Sequence, residues 1–197
     1  MGIDMGCWKA WAMRIVEVGP GNFYSTKIFT DNPPGYLYVF WGIGYLANLT
    51  NWTNLFGNAW FEWLLKLPAN LFDLGTGLLI YKIIEERLGK GPARIAAQSA
   101  AGGGFLLYTL NPAIWFNSSV FGQFDGAGAF FGLLAVYFII DSGNRKDSRN
   151  LLLAGISLAV AWAVKPQTIA LAPAVGILAL RELGGIRGIR WIRGAVE

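Results

Sequence analysis

The chain has 197 residues, of which 54% are hydrophobic and 14% charged, with a mean hydropathy of +0.43 and no histidine. A soluble domain carries about 25% charged residues, so this deficit points to a polytopic membrane protein. The formal charge of +4 lies in loops between apolar blocks and is not interleaved with exposed aromatics on a polar scaffold, so no nucleic-acid partner is expected. With a single cysteine, Cys7, there is no internal disulfide and no donor set for zinc or iron, and neither a metal nor a cofactor is expected.

In chain order, Asp4–Val18 reads as an amphipathic interfacial helix. Met5, Trp8, Ala12, Ile15 and Val16 share one side, with Lys9, Arg14 and Glu17 elsewhere. Gly19-Pro20-Gly21 ends it. In Asp31-Asn32-Pro33-Pro34-Gly35-Tyr36 two prolines stiffen a turn and force the preceding residue into an extended state. Tyr36–Leu49 is apolar and aromatic. Five segments then approach the roughly 20 residues that a spanning helix needs: 61–81, 95–110, 126–140, 151–164 and 168–180. Gly122–Gly126 and Gly128–Gly132 have the small-xxx-small spacing that lets helices approach closely.

Three short stretches hold most of the sixteen Lys and Arg residues: Lys82, Arg87, Lys90 and Arg94; then Arg145, Lys146 and Arg149; then Arg181, Arg187, Arg190 and Arg193. Positive charge marks cytoplasmic ends, so 61–81 runs from outside to inside and begins near Trp60 on the outer face. Pro33 and Asn51 then lie on one side, and Tyr36–Leu49 is expected to dip into the outer leaflet without crossing. Trp41, Trp52, Trp60 and Trp63 fit an interfacial aromatic belt. The expected architecture is all-α: an outer-face layer of juxtamembrane and re-entrant helices over 1–58, and a bundle of about five transmembrane helices over 59–197.

Polar chemistry gathers at the outer ends. Asp4 is either the N-cap of its helix or a carboxylate held at the membrane surface to take a proton from a hydroxyl. Gln123 and Asp125 close the loop Phe116–Gly126, where Asp125 could also serve as a helix cap. Lys165-Pro166-Gln167 separates two apolar helices. A lysine there costs roughly 2.5–3.5 kcal/mol at mid-depth and less near the interface, where it can snorkel or meet an anionic headgroup. Asp73, inside 61–81, is expected to pair within the bundle.

Read in order, these pieces resemble the GT-C superfamily of polytopic glycosyltransferases that use polyprenyl-phosphate sugars. The pieces are Asp4 before an aromatic helix, Asn-Pro-Pro-Gly-Tyr-Leu-Tyr, Asp73, Asn-Pro-Ala…Phe-Gly-Gln-Phe-Asp, and Lys-Pro-Gln. The nearest likeness is to prokaryotic mannosyltransferases similar to the second mannosyltransferase of GPI-anchor synthesis. A more distant one is to dolichyl-phosphate-glucose-dependent glucosyltransferases. Their Tyr-Pro-Pro-Leu corresponds to Asn32–Gly35, their His-Phe-Gln-Tyr-Asn to Phe121–Asp125, and their Lys-Gln-Met to Lys165–Gln167. Asn32 and Asp125 depart from those patterns.

The resemblance implies an outer-face hexosyltransferase, embedded as a multi-pass protein in the plasma membrane if prokaryotic. Asp4 would act as general base, Lys165 and Gln167 would meet the donor phosphate, and Gln123, Asp125 and Asp31 would contact sugar or acceptor. The implied partners are a polyprenyl-phosphate-linked sugar and a glycan, lipid or protein acceptor. The superfamily has a span before the acidic residue and more after the lysine, so this chain is expected to be part of a longer enzyme. A transporter or flippase built on short helices and a lone lysine is the alternative, although polar groups at one face and the lack of an internal repeat disfavour it. A non-catalytic scaffold subunit is a third reading.

Overall fold

A computed structural model describes residues 3–49, 57–89, 91–145 and 148–182. Every described regular element is helical. Trp52, Lys90, Lys146, Arg187, Arg190 and Arg193, on which parts of the sidedness expectation rest, lie outside the described residues.

Helix α1 (Ile3–Val18) is stopped at Gly19, whose φ of 76° breaks the helical turn. Met5, Trp8, Ala12 and Ile15 are buried as the spacing predicts. Lys9 is a correction. Expected away from the apolar side, it is fully buried and its Nζ lies 3.1 Å from Glu62, which also meets Lys66 at 2.9 Å. A buried ammonium is tolerated when a carboxylate compensates it, so Lys9 fastens α1 to the start of α3.

Helix α2 (Pro34–Leu49) begins inside the Pro-Pro turn and buries Tyr36, Leu37, Phe40, Ile43 and Ala47. It touches its neighbours backbone to backbone. A Cβ on Gly44 would come within 2.4 Å of the Ala12 carbonyl oxygen, and one on Gly35 within 2.5 Å of that of Ala163. α2 is thereby seated between α1 and the end of α7.

Helix α3 (Ala59–Leu88) is capped by Asn58, whose side chain accepts from Trp60 N and Phe61 N. It packs against α4 (Arg94–Thr109) and α6 (Asp125–Arg145), and α6 packs against α7 (Ser148–Val164) and α8 (Ala172–Glu182). Between α4 and α6 lie the one-turn α5 (Pro112–Trp115) and a wide turn at Phe116–Phe121. The small-xxx-small pairs lie at crossings: Gly126 against Asp73 and Ala69, Gly128 against Thr168 and Lys165, and Gly132 against Leu171.

Two helices, Ala59–Leu88 and Asp125–Gly143, are long and apolar enough to cross a membrane. α4 and α7 form where expected, with 16 and 17 residues. The segment expected at 168–180 differs. Residues Pro166–Leu171 form a 3₁₀ turn and only then does α8 begin, with 11 residues. Pro173 has no N–H and its ring would clash with the carbonyl four residues back, so an α-helix must restart there.

Among the described residues, the end of α3, the end of α6 and the start of α7 meet at one end of the bundle. There Lys82 lies 4.7 Å from the Tyr137 ring centroid, Tyr137 donates to Glu86 at 3.3 Å, and Asn150 donates to buried Asp141 at 2.7 Å. The main apolar core occupies the opposite end, where α1 and α2 meet α3, Phe124, Ala127 and Val164.

The α1–α2 contact yields a test with an internal control. Gly44→Ala should lower stability by about 1–3 kcal/mol, because the clash is with backbone that cannot swing aside. Gly42, whose Cβ position meets nothing within 4 Å, should accept Ala with no loss. Thermal unfolding of the two variants in detergent checks this.

Candidate active site

Three consecutive residues organise the site, and a glycine aims them. Asn111 caps α5 by accepting from Ala113 N at 3.0 Å, and the chain widens through Phe116–Phe121 before reversing at Gly122. Gly122 has φ 72°, a left-handed conformation that favours glycine, and a Cβ there would sit tightly, 3.0 Å from the Met5 sulfur. The turn is pinned to α3 by two adjacent serines. Ser118 donates to Asp73, and Ser119 donates to Asn70 at 2.5 Å. Asp73 thus finds its expected partner inside the bundle, with Tyr108 adding a second hydrogen bond.

Beyond Gly122, Gln123 reaches α1, where its Nε2 donates to Asp4 Oδ2 at 2.6 Å. Phe124 points inward and is 1% exposed. Its ring stacks on Tyr36 with centroids 4.1 Å apart, and meets Trp8 edge-on at 5.1 Å and Phe40 at 6.0 Å. Asp125, the first residue of α6, pairs with Lys165 and accepts from Asn117 Nδ2 at 3.3 Å. Lys165 stands in extended conformation between α7 and the 3₁₀ turn, with its Nζ 5.1 Å from the Phe124 centroid. Thr168 closes that turn by donating to the Lys165 carbonyl at 2.7 Å.

Gln123 and Asp125, on either side of Phe124 in sequence, thus join four of the expected site residues in two contacts, Gln123 with Asp4 and Asp125 with Lys165. Asp4 sits in the first turn of α1, one position inside the helix, and not at its cap. Its carboxylate is exposed, as a group meeting a substrate from solvent must be. Asp31 is exposed on the strap before α2 and is bonded to none of the four, and Gln167 is exposed in the 3₁₀ turn.

Trp8, Tyr36, Phe124 and Asn117 were missed by the motif reading. The one available signal was an aromatic placed between two polar residues at the start of a span. Trp8 Nε1 and the Tyr36 hydroxyl are buried and have no hydrogen-bond partner among the described residues. Burial, with the Asp73 charge adding to it, pushes the Tyr36 phenol well above its ordinary range, so it stays a protonated donor.

Loss of the ring and loss of the amide should separate. Phe124→Ala should cost about 3–5 kcal/mol and disperse the site, whereas Gln123→Ala removes one surface hydrogen bond and about 1 kcal/mol. A large fall in unfolding temperature for the first and a small one for the second is the expected pair of results.

Residues 31–187 match the family described as dolichyl-phosphate-mannose-protein mannosyltransferase. Gln123, Phe124, Asp125 and Lys165 fall inside the matched region, and α1 with Asp4 lies before it. No curated protein and no solved structure matches the chain. The family match runs over most of the sequence, and the chain belongs to this family of membrane-bound mannosyltransferases.

Proposed function

We propose that the protein transfers a mannosyl or other hexosyl group from a polyprenyl-phosphate donor to an acceptor hydroxyl, with inversion, at the non-cytoplasmic face. The carrying observation is the run Gln123-Phe124-Asp125, in which Gln123 donates to Asp4, Asp125 pairs with Lys165 and the Phe124 ring lies beneath the Lys165 ammonium. The acceptor oxygen attacks the anomeric carbon while the bond from that carbon to the phosphate oxygen breaks and its electron pair leaves with the phosphate. The acceptor proton passes to Asp4.

Lys165 neutralises the departing lipid phosphate. One of its N–H groups meets Asp125, and the donor phosphate takes a place beside it. Exposed Gln167 is close in sequence and extends the same phosphate site. Gln123 orients the sugar, Asp125 holds the lysine in place, and Asp31 meets the acceptor. The sidedness rests on the sequence pattern of basic residues, with Lys82, Arg87 and Arg94 flanking the α3–α4 turn and Arg149 at the start of α7. In this reading residues 1–58 form the outer-face layer and 59–197 the bundle, with five spans once the shorter helices are counted. The narrower kinship with relatives of the second GPI-anchor mannosyltransferase belongs to the same proposal, carried by Asn32–Gly35, Phe121–Asp125 and Lys165–Gln167.

Transfer of label from polyprenyl-phosphate mannose by the full-length enzyme in membranes tests the roles. Asp4→Asn should slow turnover by about 10²–10⁴-fold. Lys165→Ala should remove about 3–4 kcal/mol of transition-state stabilisation. Near-normal turnover of Asp4→Asn at normal expression would take the base role away from Asp4.

A further inference from the structure

A pocket of about 350 Å³ opens beside the first turns of α3, lined by Trp63, Lys66, Leu67, Asn70 and Ser119. None of these residues belongs to the Asp125–Lys165 pair. Local bonds decide what the lining offers. Ser119 donates its proton to Asn70 at 2.5 Å, so its hydroxyl oxygen is left as an acceptor. Lys66 directs one of the three N–H groups of its ammonium to Glu62 at 2.9 Å. Glu62 also meets Lys9 at 3.1 Å, so one carboxylate is shared between two ammonium groups and Lys66 keeps part of its positive charge. Trp63, 63% exposed, adds an aromatic wall.

The pocket continues into an apolar stripe. Leu67, Leu71, Leu74 and Leu78 follow one another at helical spacing and share one face of α3, and the last three are exposed. From Leu67 to Leu78 the stripe runs about 16 Å at helical rise, close to half of a hydrocarbon core about 30 Å thick. α3 is long and apolar enough to cross a membrane, and exposed Trp60 and Trp63 mark its start as the interfacial end.

We propose that the pocket seats the headgroup of an anionic, hydroxyl-bearing glycerophospholipid of the surrounding bilayer. Lys66 meets its phosphate, Ser119 accepts from a headgroup hydroxyl, and one acyl chain lies along the leucine stripe. A soluble phosphate would use the pocket without the stripe, and an uncharged lipid the stripe without Lys66. The proposal requires α3 to cross the membrane but holds whichever face its start occupies, so it stands apart from the roles given to Asp4 and Lys165. The lipid also braces the turn that carries Gln123. Ser119 belongs to that turn, and Lys66 Cγ lies 3.4 Å from the Cβ position of Gly122.

Thermal unfolding of full-length enzyme in detergent, titrated with phosphatidylglycerol, tests the site. A rise in Tm of about 5 °C is expected at a hundredfold excess over Kd. Phosphatidylcholine and soluble glycerol 3-phosphate should each give a much smaller rise. Lys66→Gln and Trp63→Ala should each weaken the apparent affinity by about tenfold, and Lys66→Arg should restore most of it. Each variant is compared with itself without lipid, so a general loss of stability cancels. Lys165→Ala should leave the rise intact, which separates this lipid from the donor. Equal rises with phosphatidylcholine or glycerol 3-phosphate, an unchanged affinity in either pocket variant, or loss of the rise in Lys165→Ala would overturn the proposal.

Discussion

The buried ring of Phe124 is the constraint on which the site depends. Its two neighbours in sequence each hold a different charged group: Gln123 donates a neutral amide N–H to Asp4, and Asp125 pairs with Lys165, whose ammonium also lies over the face of the ring. An aromatic face attracts a cation by about 0.5–2 kcal/mol, more as water is excluded, so Phe124 helps to hold Lys165 without cancelling its charge. Tyr36 stacked on the same ring fixes the plane on which that attraction depends.

Keeping the ring in place requires helices that nearly touch. Phe124 is reached from α1 by Trp8, from α2 by Tyr36 and Phe40, and from the α7–α8 junction by Lys165. Those elements converge only because Gly44 and Gly35 let α2 lie backbone-to-backbone on α1 and α7. Gly122 supplies the left-handed turn that sends Gln123, Phe124 and Asp125 in three directions. The serine pair at 118 and 119 ties the same turn to α3 through Asp73 and Asn70. Asp73 therefore works as an anchor for the loop, which gives a costly buried carboxylate a structural reason.

Much of this was legible beforehand, for definite physical reasons. Helix positions follow from apolar period and length, and α1, α2, α3, α4, α6 and α7 form close to where the pattern places them. Asp4, Gln123, Asp125 and Lys165 were readable because polar groups at the ends of apolar runs are expensive and need a cause. What was not legible depended on partners far away in sequence. Lys9 looked like a polar-side residue because its compensating carboxylate, Glu62, is in another helix. The break before α8 turns on Pro173, whose effect depends on whether a helix is already running when the chain reaches it. Phe124 resembled any other apolar residue of the loop ahead of a span, since its role exists only once α1, α2 and Lys165 surround it.

The site also divides along the chain. Under the proposed reading its donor half, Lys165, Gln167 and Asp125, sits on the bundle and within the region shared with the family. Its acceptor half, Asp4, sits on α1, ahead of that region. The two halves are physically separable as well. α1 is attached by an apolar stripe, by Lys9 on Glu62 and by the Gln123 hydrogen bond to Asp4, and Gly6 and Ala10 lie outside that stripe. Changes at those two positions alter neither the bundle core nor the lysine. Under the same reading, a fold arranged in this way can keep one donor site and vary the acceptor that is brought to it. Substitutions on α1 where packing obligations are fewest cost least.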